Sequence, residues 1–228
     1  MLTSTVAILH DNTAHGEDNY LVRTLSPHAC VDAVMDGVTG RGGREASQAV
    51  ARALAAASLT SPEAVVAVLE DVNSRLYQVS LGRFLLTTAS VALCLGGVLH
   101  VVSAGDSSVL LVRPHAVQLL SSGVRGFTQA GVARALGMRK TLRQLSRAEV
   151  DIQSDDRLIL ATDGITDNLT HDELVEIVRC AMSPDQAVEH IQTLLASRRA
   201  RGILPAQLGG RFHHDDQTAI CRFFSATQ

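Results

Sequence analysis

LILATDGITD, Leu158 to Asp167, is the stretch whose reading decides the fold. Leu158, Ile159, Leu160, Ala161 and Thr162 form a short apolar run suited to a buried strand. It leads directly into Asp163, a glycine and a second acid, Asp167. One Asp-Gly is ordinary turn chemistry, because both residues suit turns. The pattern recurs, however. VDAVMDG ends in Asp36 beside Gly37, VVSAGDS places Asp106 after a glycine, and HHDDQTAI sets Asp215 and Asp216 ahead of a strand. HGEDNYLV does the same with Glu17 and Asp18. If the strands are neighbours, their terminal acids converge. Converging carboxylates repel, and one takes up a proton unless a cation sits among them. Oxygen donors without a matched His/Cys set favour a hard cation, Mg2+ or Mn2+, over zinc. A glycine beside the acid leaves room for a backbone carbonyl to approach the metal or its waters.

Around these acids the chain reads as α+β. Strands are expected at 6–10, 19–25 and 30–36, then a helix in Ala-rich 44–58. Ser61-Pro62 supplies a cap and a first-turn proline for a second helix to about residue 80. Four apolar runs follow between 86 and 122, punctuated by Gly96-Gly97 and Gly105-Asp106, and predict an antiparallel meander. LGMRKTLRQ, 136–144, reads as irregular, and a strand is expected at 157–162. Thr170 with Glu173, and Ser183-Pro184 with Gln186, open two further helices with capping-box spacing. The segment 198–216 reads as a Gly- and Arg-containing loop, and TAICRFF as a closing strand. No repeat or linker divides the chain, so residues 1–228 are expected to form one domain, two sheets faced by helices.

Composition excludes several classes. The chain is 46 % hydrophobic and 19 % charged, which is globular, and its net charge of −3 implies no polyanion partner. Aromatics are 3 % with no Trp, which argues against a base-stacking nucleic-acid platform. The four widely spaced cysteines, Cys30, Cys94, Cys180 and Cys221, read as reduced thiols of a cytoplasmic protein. The N-terminus lacks the basic region of a signal peptide, and no apolar run reaches the roughly 18 residues of a membrane span.

Taken together, the motifs resemble those of the metal-dependent serine/threonine protein phosphatases, the PPM or type 2C family, in order along nearly the whole chain. HGEDNY resembles the family's Glu-Asp motif and VMDGVTGRGG its Asp-Gly-x-Gly-Gly stretch. TTASVALCLGGVLHVVSAGDSSVLLVR resembles the Thr-Thr strand, hairpin and Gly-Asp-Ser motif. ARALGM, DDRLILATDGITDNLT and DDQTAI resemble the remaining three. The resemblance implies a four-layer α-β-β-α sandwich of two antiparallel sheets. It implies a binuclear Mn2+ or Mg2+ centre, two ions per chain. Asp36 would bridge both ions, the Gly37 carbonyl would bind one, and Asp163 and Asp215 would complete the other. Glu17 and Asp18 would act through metal-bound waters, and Asp106, Asp163 and Asp167 match a third, weaker site. The implied chemistry is hydrolysis of phosphoserine or phosphothreonine in a phosphorylated protein, by in-line attack of a metal-bridging water. Asp36 and Asp163 would carry catalysis through that water. Neither nucleic acid nor membrane is an expected partner, and the chain is expected to be a monomer.

The sequence also departs from the family. Thr13 occupies the position of the arginine that grips the substrate phosphate, so a bidentate clamp is missing there. His10, His15, Arg41, Arg44 and Arg211 are the candidate replacements. Val38 stands where eukaryotic members carry a proton-donating His, and the flap, SSGVRGFTQAGVA (121–133), is short. These departures motivate a second reading, a catalytically weak or inactive module that binds a phosphoprotein. The enzyme is favoured because every metal carboxylate is kept, and an empty acid cluster would cost stability. Among other groups, His213-His214 reads as surface rather than a transition-metal pair, and Arg198, Arg199 and Arg201 as complements of a helix C-terminus. The four-residue spacing of Asp32 and Asp36 does not match a haloacid-dehalogenase nucleophile loop, whose acids stand two apart.

Overall fold

The computed structural model describes residues 2–121, 135–142 and 145–226. Among these residues, ten strands and five helices run in the order β1 (Leu2–Asp11), β2 (Asn19–Ser26), β3 (Ala29–Met35), α1 (Gly43–Ala56), α2 (Pro62–Ser80), β4 (Ala89–Leu95), β5 (Val98–Ala104), β6 (Ser108–Val112), β7 (Val117–Leu119), β8 (Ser146–Asp151), β9 (Arg157–Ala161), α3 (Asp163–Thr166), α4 (His171–Cys180), α5 (Pro184–Arg201) and β10 (Gln217–Ala226). The strands form two antiparallel five-stranded sheets, ordered β1-β10-β9-β6-β7 and β2-β3-β4-β5-β8.

Three apolar layers hold this arrangement together. Alternate residues of β3 show why a central strand is buried on both faces. Val31, Ala33 and Met35 pack with Val50, Leu54 and Leu69 of α1 and α2. Cys30 and Val34 pack between the sheets with Leu99, Val109 and Leu160. On the far side, Leu174, Val178, Ile191 and Leu195 of α4 and α5 cover Ile159, Ala219 and Cys221. The result is the expected α-β-β-α sandwich. Each fully buried Leu or Ile contributes about 1.5–3 kcal/mol relative to exposure.

Local signals set the helix boundaries. Ser61 accepts from the Ala64 N–H at the start of α2, with Pro62 in the first turn. Thr170 and Glu173 form a reciprocal capping box on α4, worth on the order of 1 kcal/mol. Ser183 caps α5, but Gln186 turns to the Met182 N–H rather than closing the same box.

Three expectations need correction. The run 86–122 is not one meander: β4 and β5 form a hairpin, and the chain then crosses to the other sheet at Gly105-Asp106, so β6 pairs with β9 and β7. The strand β8 is missed because its alternation, with Ala148 and Val150 packed inward, carries only two modest apolar side chains. The segment 198–216 is not a loose loop. Helix α5 continues to Arg201, a 3-10 turn spans Ala206–Leu208, and Leu204, Leu208 and Phe212 are buried in the α4/α5 core. Beyond Ser121, the short flap lies outside the described residues.

Candidate metal centre

Sheet register brings the acids together. Asp11 pairs with Gln217 across β1 and β10, and Ala219 pairs with Ala161, which pairs with Ser108. In the other sheet Asn19 pairs with Met35, and Ala89 with Ala104. Asp18, Asp36, Asp106, Asp163, Asp215 and Asp216 therefore all stand at the same end of the sandwich, each one or two residues beyond a strand terminus.

Glycines let these ends approach. A Cβ on Gly164 would lie 1.9 Å from the Asp216 carbonyl oxygen, and one on Gly37 would lie 2.5 Å from the Glu17 carbonyl oxygen. A Cβ on Gly105 (φ 120°) would lie 2.5 Å from Thr88 Cβ. The space beside each acid is thus taken by neighbouring protein backbone and side chains.

Threonines and one aspartate fix the acids. The Asp36 carbonyl accepts from the Thr88 N–H at 2.7 Å and from Thr87 Oγ1 at 2.8 Å, and its N–H donates to Thr88 Oγ1 at 3.1 Å. Asp18 Oδ2 accepts from Thr162 Oγ1 at 2.9 Å and from Thr218 Oγ1 at 2.7 Å, tying β2 to β9 and β10. Asp216 accepts the N–H groups of Ala14, His15 and Glu17 at 3.1, 2.9 and 2.7 Å. It thereby holds the whole loop that presents Glu17 and Asp18. Ser47 of α1 grips the same loop through the Glu17 carbonyl at 2.7 Å. These supports were not among the predicted site residues. The Asp-Asp doublet and the Thr-Thr pair are visible in the sequence, but which one of two adjacent acids faces the loop depends on the fold.

The electrostatics follow from convergence. Burial raises Asp36 well above the carboxylate range, and Asp163, Asp18, Asp106 and Asp215 add to this. Asp163 is pushed up to about 7 by burial and by Asp106, Asp215 and Asp167, while Asp36 beside it works the other way. Asp18 rises to about 7, chiefly by burial, against the two threonine hydroxyls. Burial also raises Asp215, with Asp216 and Glu17 adding repulsion. Asp216 is lowered: burial alone would raise it, but the backbone N–H groups of the 14–18 loop hold its charged form.

Among the described residues, no three His, Cys, Asp or Glu side chains stand placed to hold a metal ion as they lie. The donor set nevertheless fits a hard cation. It consists of oxygen donors, it carries excess negative charge, and Glu17 Oε2 is buried without a hydrogen-bond partner. Cations among the side chains are few. Thr13 turns back to Asp11 Oδ1 at 2.6 Å. His15 Nε2 lies 3.9 Å from Asp215 Oδ1. Arg44, in the first turn of α1, donates to the Gly16 carbonyl at 2.8 Å and the His15 carbonyl at 3.4 Å. Arg41 is engaged with the Arg83 carbonyl, and His10 with Thr218 Oγ1. Arg211 is exposed. The His213 N–H donates to Asn168 Oδ1 at 2.9 Å, and the His214 ring lies edge-on to Phe212. Arg198 pairs with Glu173 and Arg199 with Asp11, so both do more than complement a helix end.

The family model for Stage II sporulation protein E (SpoIIE) matches residues 31–222. Among solved structures, PppA, a key regulatory component of T6SS in Pseudomonas aeruginosa, is 21 % identical with a TM-score of 0.77, covering 97 % of this chain and 98 % of that one. The catalytic domain of the serine/threonine protein phosphatase PstP, in complex with two manganese ions, is 20 % identical with a TM-score of 0.73, over 99 % and 100 % of the two chains. RsbX in complex with magnesium is 15 % identical with a TM-score of 0.70, over 98 % and 96 %. No curated protein sequence matches the chain. No described helix is long and apolar enough to cross a membrane.

Proposed function

The chain belongs to the SpoIIE family and has the PPM phosphatase fold, and from that premise we propose that it is a monomeric cytoplasmic enzyme that hydrolyses phosphoserine or phosphothreonine esters on a protein substrate. One observation carries this reading: buried acids from both sheets meet at one end of the sandwich, with Asp36 against Asp163 and the buried Glu17 Oε2 unpartnered. In the reading, Asp36, the Gly37 carbonyl, Asp163 and Asp215 would hold two divalent ions. Glu17 and Asp18 would act through waters, and Asp106 and Asp167 would hold a third ion. When bound, the ions supply an acidified water and neutralise charge on the phosphoryl oxygens.

The protein's own share is positioning. Thr162 and Thr218 keep the Asp18 carboxyl aimed and favour its charged form against burial. Asp216 keeps the 14–18 loop closed over the cluster. Arg44 is the cation we assign to the substrate phosphate in place of the missing arginine, because it is anchored on that loop while Thr13 faces Asp11.

The test is hydrolysis of an aryl phosphate and of a phosphothreonine peptide with Mn2+, with Mg2+ and with EDTA, for wild type and Asp36→Asn. Turnover that needs metal and is lost in the variant is expected. Turnover that survives EDTA would overturn the reading. Metal binding without turnover on either substrate would favour the phosphoprotein-binding module.

A further inference from the structure

At the end of the sandwich opposite the acids, the two sheets part around a cavity of about 780 Å3 lined by Leu2, Pro27, His28, Ile152 and Phe224. Two cysteines, Cys30 and Cys94, also line it. They are direct register partners on the antiparallel strands β3 and β4. Residues directly opposed on such strands share a face, with Cα atoms about 4.5–5.5 Å apart. A disulfide spans Cα separations of roughly 4.4–6.8 Å. The two thiols are near enough to influence each other's titration, Cys30 being pushed up and Cys94 drawn down. Each residue is 8 % exposed, so neither is sealed off.

We propose that Cys30 and Cys94 are a modification site: a dithiol that a peroxide entering this cavity converts reversibly to an intramolecular cross-strand disulfide. Cys94 is the attacking sulfur. The Cys30 S–H, the Arg222 guanidinium and the Gly97 N–H favour its thiolate, while burial and Asp32 oppose it. Its sulfur takes one peroxide oxygen, the O–O bond breaks, and the departing hydroxide leaves as water after gaining a proton. The Cys30 sulfur then attacks the Cys94 sulfenic acid. The S–O bond breaks, the S–S bond forms, and the hydroxyl leaves as a second water with the Cys30 proton. Two thiols and one peroxide become one disulfide and two waters, and the sulfurs together give up two electrons.

The other cysteines lack this arrangement. Cys221 is fully buried, and burial alone pushes its thiol up to about 12. Cys180 is exposed, and its S–H donates to Glu176, which disfavours the thiolate. A metal site is not the better reading of the pair, since no third His, Cys, Asp or Glu joins it among the described residues.

The experiment treats the folded full-length chain with hydrogen peroxide, then denatures and alkylates it without reductant. Intact mass and peptide mapping follow. The expected result is a loss of two hydrogens per chain, a Cys30–Cys94 crosslinked peptide, and full reversal by dithiothreitol. The crosslink persists in Cys180→Ser and is absent in Cys30→Ser and in Cys94→Ser. Cys30 and Cys94 remaining fully alkylated under peroxide that already oxidises Cys180 would overturn the proposal. So would a crosslink that forms only when the chain is unfolded first. No step of this test depends on phosphatase activity.

Discussion

Stripping divalent cations from this protein should make its stability fall as pH rises from about 4 to 7, the reverse of a typical paired-carboxylate protein. Asp18 sets the magnitude. It is 4 % exposed, and its carboxyl titrates at about 7 in the fold against 3.8 ordinarily, first through burial and then through Asp163 and Asp216. Between those two pH values the folded state holds a proton that the unfolded chain has released. Stability is therefore complete below the unfolded value, declines across the window, and is lost above the folded one. A displacement of about three pH units, at 1.36 kcal/mol each, is about 4 kcal/mol, with a slope of roughly 1.4 kcal/mol per pH unit. Asp163, also raised to about 7, adds to this. The two belong to one coupled cluster, so the total stays on the order of 4–6 kcal/mol rather than doubling. His10, lowered by burial, works weakly in the opposite sense below its ordinary value of 6.5, and a His10→Gln background removes it. The assay is urea unfolding in EDTA across this pH range, repeated with saturating Mg2+. The cation should replace the proton and flatten the dependence. Stability in EDTA that stays level or climbs with pH would refute the convergence of buried acids.

Two further outcomes follow from the same contacts. Asp32→Ala leaves Arg222, 4 % exposed, buried without its bidentate partner at 2.6 and 2.7 Å. It should lower unfolding free energy by about 3–5 kcal/mol in urea titrations, and a loss under about 1 kcal/mol would show that the pair is solvated. Asp216→Ala releases the N–H groups of Ala14, His15 and Glu17. It should weaken Mn2+ affinity by roughly 10–100-fold with the fold retained, read by metal titration alongside circular dichroism.

Much of this molecule was legible because its signals are local. Ser61-Pro62, the Thr170–Glu173 box and the β-rich blocks announce their elements without knowledge of what packs on them. The acids at strand ends were legible for the same reason, each marked by its own apolar run. What was not legible depends on pairing between distant segments. The strand β8 is too weakly apolar to stand out until β5 claims it as an edge. The crossover after β5 looks like another hairpin because Gly105-Asp106 suits a turn as well as a change of sheet. Asp32 could be read from the sequence only against Asp36, at a spacing that fits no nucleophile loop, until Arg222, 190 residues later, meets it between the sheets. Asp216 looks like a twin of Asp215 until the 14–18 loop lies against it. The glycines stand out in the sequence, and in the fold Asp216, Glu17 and Thr88 approach them closely, which only the tertiary packing reveals.

The account rests on the acids holding metal, and a Mn2+ titration followed by electron paramagnetic resonance tests that most directly. Wild type should take up two tightly held ions per chain, and Asp36→Asn should lose both, because in this reading Asp36 would hold both. Absence of tight binding in wild type, or uptake unchanged in Asp36→Asn, would contradict the account.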